Sequence, residues 1–278
     1  MFDFSNQNSR KEIIYFILNV FKVVTSKVIL PYYKNLKKTE IDNKIDKNDF
    51  VTFADKKTEE IISNYLTKKF SNIKIIGEES SFQKNCNLSV FNDEYYWTID
   101  PIDGTKNYIK GDKNFCSMIS LVKQKKPIVA FIFNPLKKYL VYAFDNKGCY
   151  YFHLDSKITK NIKIKTKNTK YFGTGSTKGF EEQLRKKIIN NLNFNTKRIF
   201  IGSAGIEALK LINNEINYIL HGRVTPWDHS PINLIIKESG GFAFMLKKQK
   251  LFDIETKGSF LATDRMSSWS DLKKIIFS

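Results

Sequence analysis

Apolar residues near the start of the chain recur at helical spacing. Two such patterns predict amphipathic helices, one over residues 12–30 that ends at Pro31 and one over residues 58–70. Lys22 and Lys27 interrupt the first pattern, whereas a membrane span needs about 20 largely uninterrupted apolar residues. We therefore expect this helix to pack on a core and not to cross a membrane.

The pattern then changes to short apolar runs separated by turn-forming residues. These runs predict strands at 73–76, 95–99, 115–122, 128–133, 139–144 and 149–153. Gly, Pro, Asn and Asp lie in the connections after residue 122, as in tight turns. We predict an antiparallel meander in an N-terminal α+β half, residues 1–154.

After residue 155, runs of strand length and helix length alternate. Strands are predicted at 170–173, 198–202, 216–220 and 260–263, and helices at 181–191, 204–213 and 231–239. Such alternation is typical of a layered α/β arrangement. The predicted fold class is therefore α/β (α+β), with residues 155–278 as a smaller C-terminal half.

The chain is strongly basic, with a net charge of +18. Most basic residues are lysines scattered along the chain, and arginine, which suits base and phosphate contacts, is scarce. This placement indicates a lysine-rich surface, and we do not expect a nucleic-acid partner. The positive surface would help to steer anionic substrates inward.

The three cysteines, Cys86, Cys116 and Cys149, show no CxxC pairing or metal-ligand spacing. The odd count argues for reduced thiols. Asp3 and Glu12 flank the first apolar stretch, which is unlike a signal peptide. We therefore expect a cytoplasmic protein.

The strongest chemical signal is the sequence Asp-Pro-Ile-Asp-Gly-Thr at 100–105. Asp100 is predicted to end a strand, because the following proline cannot continue the ladder. The resulting turn can aim Asp100, the Ile102 carbonyl and Asp103 at one point, and such oxygen donors suit Mg²⁺. Gly104 and Thr105 would then offer backbone N–H groups to a phosphate.

Further carboxylates lie in two other short motifs. Glu78 and Glu79 follow the strand predicted at 73–76. Asp228 precedes a helix that we expect Ser230 to cap, with Pro231 at its first position. Because Ser230 fills the capping role, Asp228 is left for a metal.

Asp55 lies just before the second helix. It is either the N-cap of that helix or, held against a hydroxyl, a group that orients or deprotonates a water.

Together these motifs resemble those of the inositol monophosphatase family, which consists of lithium-sensitive, metal-dependent phosphatases. The resemblance spans roughly residue 10 to the end. It rests on Gly77-Glu78-Glu79, on the sequence at 100–105, and on Trp227-Asp228 with Gly240-Gly241 downstream. It implies a layered αβαβα sandwich, a homodimer, and two to three Mg²⁺ ions per site.

The resemblance also implies metal ligands. Glu78, Asp100 and the Ile102 carbonyl would bind a first ion, and Asp100, Asp103 and Asp228 a second. Glu78 would also serve a third, weaker ion.

The resemblance also implies which residues are catalytic and which bind the substrate. Thr105 with Asp55 resembles the pair that activates the attacking water, and Glu78 completes the catalytic set. The turn Gly202-Ser203-Ala204 matches a substrate loop of the family, although a helix N-cap would look the same. The predicted substrate contacts are Gly104, Thr105, Ser203, Ala204, His221 and Asp228.

The chain departs from the family at a position that bears on the substrate. Many members that act on inositol phosphate carry a carboxylate seven residues before the aspartate of the Trp-Asp motif, where this chain has His221. His221 and Arg223 either face a second anionic group or are solvated loop residues. Lys44 and Lys47 lie where the family has a mobile loop with a lysine.

The sequence thus predicts a magnesium-dependent phosphomonoesterase that hydrolyses a small phosphorylated metabolite, of the inositol-1-phosphate type, by metal-activated water. Alternative substrates are 3'-phosphoadenosine 5'-phosphate, fructose-1,6-bisphosphate and histidinol phosphate. A regulatory RNA-binding protein on the same scaffold is a further alternative.

Overall fold

The computed structural model describes residues 3–44, 50–83, 92–166, 170–247 and 249–278. Its α-helices are α1 Gln7–Val24, α2 Leu30–Tyr32, α3 Phe53–Lys69, α4 Glu78–Gln83, α5 Thr105–Ile109, α6 Glu182–Asn195, α7 Ala204–Ile212, α8 Pro226–Glu238 and α9 Met266–Phe277. A π-helical turn, Thr25–Ile29, joins α1 to α2.

The strands form two main sheets and one short pair. The short pair is β1 Ile41–Asn43 with β2 Phe50–Thr52. The first sheet contains β3 Lys74–Gly77, β4 Tyr95–Asp103, β5 Cys116–Lys123, β6 Lys126–Asn134, β7 Tyr139–Phe144, β8 Gly148–His153 and β9 Thr159–Ile162. The second contains β10 Phe172–Ser176, β11 Lys197–Ile199, β12 Tyr218–His221, β13 Phe242–Met245 and β14 Phe260–Thr263.

The first sheet confirms the predicted meander. Strands β4 to β9 are neighbours in chain order and pair antiparallel, while β3 pairs parallel to β4 at the edge. The second sheet is mixed, in the order β11-β10-β12-β14-β13. Its first three strands are parallel, and β14 runs antiparallel to both of its neighbours.

Alternation of side chains along the strands builds the layers. Ile119 on β5 packs with α1 and α3, whereas Met118 faces the cluster containing α7 and α8. On β12, Ile219 faces that same middle cluster, and Leu220 faces α6 and α9. The order of layers is therefore α1/α3, first sheet, α7/α8, second sheet and α6/α9, which is the predicted αβαβα sandwich.

The predicted division near residue 155 falls just before β9, the last strand of the first sheet. The second sheet begins with β10.

The N-terminal helical segment does not end at Pro31 as predicted. The backbone N–H of Leu30 donates to the Thr25 carbonyl, five residues earlier, and α2 continues through Pro31 to Tyr32. The backbone hydrogen bonding therefore changes just before Pro31, which has no N–H to donate. The wider turn accommodates the proline within the helical segment.

Among the described residues, this segment, Gln7–Tyr32, is the one helix whose length and composition would allow it to cross a membrane. Its buried residues, Ile17 and Phe21 among them, pack into the cluster beneath the first sheet. A buried helix of a folded core has the same composition.

Strand β4 also differs from the prediction, since it continues past Asp100 to Asp103. Asp100 pairs with Met118 and Asp103 with Cys116, so β4 carries one extra residue between these pairs. Such a bulge breaks the ladder locally, which is where a proline is tolerated. It also bends the strand and re-aims its side chains.

Helix α8 begins earlier than predicted. Thr225 is its N-cap and Pro226 its first residue, so Pro231 lies inside the helix and Ser230 does not cap it. Pro226 supplies the favoured proline at the first helical position. Asp228 consequently lies in the first turn of the helix, where a carboxylate is favoured by the helix dipole.

Candidate active site

Three aspartates from two distant elements meet beside the end of β4. Asp100 and Asp103 come from its bulged end, and Asp228 comes from the first turn of α8. One carboxylate oxygen from each lies within 4.8 Å of the other two. Asp100 is 1% exposed and Asp103 is 7% exposed.

The arrangement is electrostatically costly without a cation. Burial raises the pKa of Asp100 well above its ordinary value, and the nearby charges of Glu78, Asp103 and Asp228 raise it further. Burial and then Asp228 raise the pKa of Asp103 to about 7, although hydrogen bonds to its carboxylate oppose the shift. Asp100 Oδ1 is buried and has no hydrogen-bond partner among the described residues. Closely spaced carboxylates with an unpartnered oxygen fit a hard divalent cation.

Asp103 is held by the N-terminus of α7. Its Oδ2 accepts hydrogen bonds from the Ser203 hydroxyl at 2.5 Å and from the Gly205 N–H at 2.7 Å, and its Oδ1 accepts one from the Ala204 N–H at 3.1 Å. Ser203 is also the N-cap of α7, since its oxygen accepts from the Ile206 N–H. The predicted substrate residues Ser203 and Ala204 therefore hold the carboxylate of Asp103, a predicted metal ligand.

Glu78 lies at the start of α4 and forms an ion pair with a lysine. The Lys44 ammonium lies 2.7 Å from Glu78 Oε1 and 2.8 Å from Glu79 Oε1, and its side chain is 4% exposed. Burial alone would lower the pKa of Lys44, but the two carboxylates raise it above its usual value. Burial raises the pKa of Glu78 well above its ordinary value. Lys47 lies outside the described residues.

Asp55 accepts a hydrogen bond from Thr105, the residue with which the resemblance pairs it, and it is not the N-cap of α3. Thr52 caps α3, and Asp55 at the third helical position closes a capping box by accepting from the Thr52 N–H at 2.8 Å. Asp55 Oδ2 also accepts from the Thr52 hydroxyl at 2.5 Å, which leaves Oδ1 to accept from the Thr105 hydroxyl at 3.1 Å. Burial raises the pKa of Asp55, while the bonds from Thr52 oppose that shift.

The Thr105 hydroxyl has two acceptors within reach for one proton. Its Oγ1 lies 3.1 Å from Asp55 Oδ1 and 3.2 Å from the Ile102 carbonyl oxygen. When the hydroxyl donates to Asp55, the Ile102 carbonyl is released for another partner.

Two adjoining cavities contain the predicted site. One, of about 320 Å³, is lined by the carboxylates and by Gly104 and Thr105, and the other, of about 240 Å³, is lined by Ser203, Ala204 and His221. Asp103, Asp228 and Arg223 line both cavities. Larger cavities of about 450 and 500 Å³ lie beside α1, but the predicted catalytic residues do not line them.

Gly104 allows the chain to turn at this point. It adopts φ +91°, and a Cβ there would lie 2.8 Å from the Asn114 carbonyl oxygen. Any other residue would therefore be strained between β4 and α5.

His221 is engaged by two buried side chains. Its Nε2 lies 2.7 Å from Glu207 Oε2, and its Nδ1 lies 3.0 Å from His229 Nε2. Thr174 donates to the other oxygen of Glu207 at 2.9 Å. Burial lowers the pKa of His221, but the Glu207 carboxylate outweighs it and raises the pKa overall, whereas burial and then His221 lower the pKa of His229.

His229 also contacts the residue that caps α8. Its Nδ1 lies 3.1 Å from the Thr225 backbone nitrogen and 3.2 Å from the Thr225 carbonyl oxygen. His221 is buried in the wall of the cavity, and both of its ring nitrogens are engaged by Glu207 and His229.

The family model of the inositol monophosphatases matches residues 9–276. The chain belongs to the inositol monophosphatase family. This is the lithium-sensitive, metal-dependent phosphatase family that the sequence motifs resemble.

Inositol monophosphatase relatives resemble this chain over most of its length. An Aquifex aeolicus protein named fructose-1,6-bisphosphatase/inositol-1-monophosphatase is 29% identical over 233 residues, covering 81% of this chain and 83% of that protein. Inositol monophosphatase 3 of Solanum lycopersicum is 30% identical over 199 residues, covering 70% of this chain and 73% of that protein. The solved structure of an IMPase/NADP phosphatase complexed with Mg²⁺ and phosphate has a TM-score of 0.79 at 17% identity, covers 95% of each chain and shows the shared fold.

In this inositol monophosphatase family member, the structure brings together Asp100, Asp103 and Asp228, and places Glu78 on the wall of the same cavity. Lys44 and Glu207 make buried contacts that were not predicted from the sequence. The resemblance placed Lys44 where the family has a loop lysine, but nothing in the sequence indicated that it pairs with Glu78 and Glu79. Glu207 could have been noticed as the one acid on helix α7, which is apolar apart from Glu207 and Lys210.

Proposed function

We propose that this family member is a Mg²⁺-dependent phosphomonoesterase that hydrolyses a small phosphorylated metabolite of the inositol-1-phosphate type. The observation that carries the proposal is the meeting of Asp100, Asp103 and Asp228 within 4.8 Å, in a cavity that Thr105 also lines. A carboxylate cluster of this kind, with a hydroxyl–carboxylate pair beside it, suits hydrolysis by an activated water.

The residues that would hold two to three Mg²⁺ ions are Glu78, Asp100, the Ile102 carbonyl, Asp103 and Asp228. When bound, Mg²⁺ neutralises phosphate charge and lowers the pKa of a bound water.

Asp55 and Thr105 form a path for the water proton. The bonds from Thr52 fix Asp55 Oδ2, so Oδ1 is the oxygen that faces the Thr105 hydroxyl. While Thr105 donates to Asp55, its oxygen lone pairs can accept a hydrogen bond from water. Thr105 can therefore orient the attacking water and pass a proton to Asp55. The Gly104 and Thr105 N–H groups remain the predicted phosphate contacts.

A second candidate function is hydrolysis of an ester that carries another anionic group. Where many inositol-phosphate members have a carboxylate, His221 occupies the position with both ring nitrogens engaged. Lys178, Arg223 and Phe200 line both cavities, and Phe200 is 85% exposed. A basic rim with an exposed aromatic ring favours 3'-phosphoadenosine 5'-phosphate or fructose-1,6-bisphosphate over histidinol phosphate, whose leaving group is cationic. The bisphosphatase and NADP phosphatase names of two relatives agree with this candidate.

A substrate panel with one variant separates the two candidates. Phosphate release should be measured for inositol-1-phosphate, 3'-phosphoadenosine 5'-phosphate, fructose-1,6-bisphosphate and histidinol phosphate. If a bisphosphate is the substrate, Arg223→Gln should raise its KM by about tenfold, because a charge-assisted contact is worth roughly 1.5–3 kcal/mol in full and less at an exposed position. Arg185→Gln, an exposed change on α6, is the matched control. An Arg223→Gln variant with unchanged KM for every ester would leave the inositol-type substrate as the better account.

We also propose that the enzyme is a cytoplasmic homodimer. Support comes from the family resemblance and from Cys116 and Cys149, which are free and buried. Sedimentation velocity of the purified chain tests the dimer. A salt-titrated RNA-binding assay run beside the substrate panel tests the alternative of a regulatory RNA-binding protein.

A further inference from the structure

A buried glutamate on α3 binds the backbone next to the metal-binding Glu78. Glu59 is 5% exposed, and its Oε2 accepts from the Glu79 N–H at 2.8 Å while its Oε1 accepts from the Ser80 N–H at 2.8 Å. Both carboxylate oxygens of Glu59 are therefore used to hold the segment that carries Glu78.

The preceding residue shows how closely this contact is fitted. A Cβ added to Gly77 would lie 2.2 Å from Glu59 Oε1 and 2.3 Å from its carboxyl carbon. These distances are too short for any side chain unless the carboxylate moves away. Glycine at position 77 thus permits the Glu59 carboxylate to reach the backbone of α4.

The same helix also carries Asp55. Residues four apart lie on one face of a helix, so Asp55 and Glu59 project from α3 in similar directions. Asp55 accepts from Thr105, and Glu59 accepts from the backbone after Glu78. Helix α3 therefore links the predicted water-activating pair to the start of α4, where Glu78 lies.

We propose that Glu59 is a positioning residue for Mg²⁺, which acts by fixing the backbone that presents Glu78 to the site. The inference rests on the proposed function in one respect, the assignment of Glu78 as a metal ligand. Glu59 does not itself line the carboxylate cavity in the described structure, so its influence on the metal passes through Glu78.

Mg²⁺ binding by the full chain without substrate, measured by calorimetric titration, tests this role. Glu59→Ala should weaken Mg²⁺ binding by about 10–100-fold, the range found when groups that orient metal ligands are removed. Glu59→Gln keeps one acceptor oxygen and should recover part of the affinity. Glu60→Gln removes the same charge from an exposed neighbour on α3, which pairs with Lys57, and should leave the affinity unchanged.

The fit between Gly77 and Glu59 supplies a second, independent measurement. Gly77→Ala should weaken Mg²⁺ binding in the wild-type background, because the new methyl displaces the Glu59 carboxylate. In the Glu59→Ala background that methyl has room, so the further loss should be small. An equal loss from Gly77→Ala in both backgrounds would overturn the coupling.

The outcomes separate this inference from the proposed function. Melting temperatures measured in chelator report the structural cost of each variant. Variants that lower the melting temperature while Mg²⁺ affinity stays at the wild-type value would overturn the positioning role and leave the function intact. The opposite outcome is that Glu59→Ala weakens Mg²⁺ binding while the wild-type protein releases phosphate from no ester. That result would support the positioning role and contradict the proposed function.

Discussion

Asp100→Asn should reduce turnover by at least about 10³-fold, more than the 10–100-fold typical of residues that only orient a metal ligand. Asp100 is the most buried of the three clustered aspartates, and its Oδ1 has no hydrogen-bond partner among the described residues. It is also the carboxylate predicted to bind two ions at once. The amide removes that charge and replaces one oxygen with an NH₂ group, which cannot bind a cation.

The same substitution should stabilise the metal-free protein. Burial and neighbouring charges raise the pKa of Asp100, so its ionised form is unfavourable in the absence of a cation. The melting temperature in chelator should therefore rise, and the further increase on adding Mg²⁺ should shrink. Asp155→Asn, in an exposed pair with Lys138, is the matched control and should change neither quantity. Turnover within tenfold of wild type for Asp100→Asn would contradict its assignment.

Asp55→Asn should lower kcat by about 10²–10⁴-fold, the usual contribution of general-base assistance. The Mg²⁺ concentration for half-maximal rate should stay close to the wild-type value, because Asp55 is not placed among the metal ligands. A group that acts only in the transition state changes kcat more than KM. Asp103→Asn should differ, since it should raise the Mg²⁺ requirement.

The capping box supplies the competing explanation for Asp55. A purely structural role predicts that Asp55→Ala costs roughly 0.5–2 kcal/mol of stability, while the Asn variant keeps an acceptor for the Thr52 N–H and costs little. Near wild-type turnover in Asp55→Asn, with an unchanged melting temperature, would support that explanation and remove the proton-transfer role.

The layered fold was largely predictable, because period-two and helical patterns remain legible along the chain. The strands at Tyr139–Phe144 and Phe260–Thr263 have the predicted bounds. The predictions were wrong where we expected a proline to end a helix or a strand. Pro101 lies in a bulge within β4, and Pro31 follows a π-helical turn.

The start of α8 was misplaced for a related reason. The pair Ser230-Pro231 has the form of a cap followed by a first helical residue, but Thr225 and Pro226 fill those positions. Strand β13 and helix α9 were not predicted, since each lies next to Gly-rich or polar stretches that obscure its pattern.

The carboxylate cluster was predictable in part because Asp100 and Asp103 are close in sequence and lie in a distinctive motif. Their supporting contacts were not. Glu59 holds the backbone of residues 20 and 21 positions later, and Glu207 pairs with His221, 14 residues away. Such pairings arise from the packing of helices and strands, which the pattern of one segment does not specify.

We propose that the carboxylate cluster is a Mg²⁺-dependent site for phosphate-ester hydrolysis. The most direct test of this proposal is phosphate release by the wild-type chain, measured with the substrate panel, first in excess EDTA and then across a Mg²⁺ titration. We expect no phosphate release in EDTA, and for at least one ester we expect release to return with added Mg²⁺ and to saturate. Full activity in chelator, or no release from any ester at saturating Mg²⁺, would contradict the proposal.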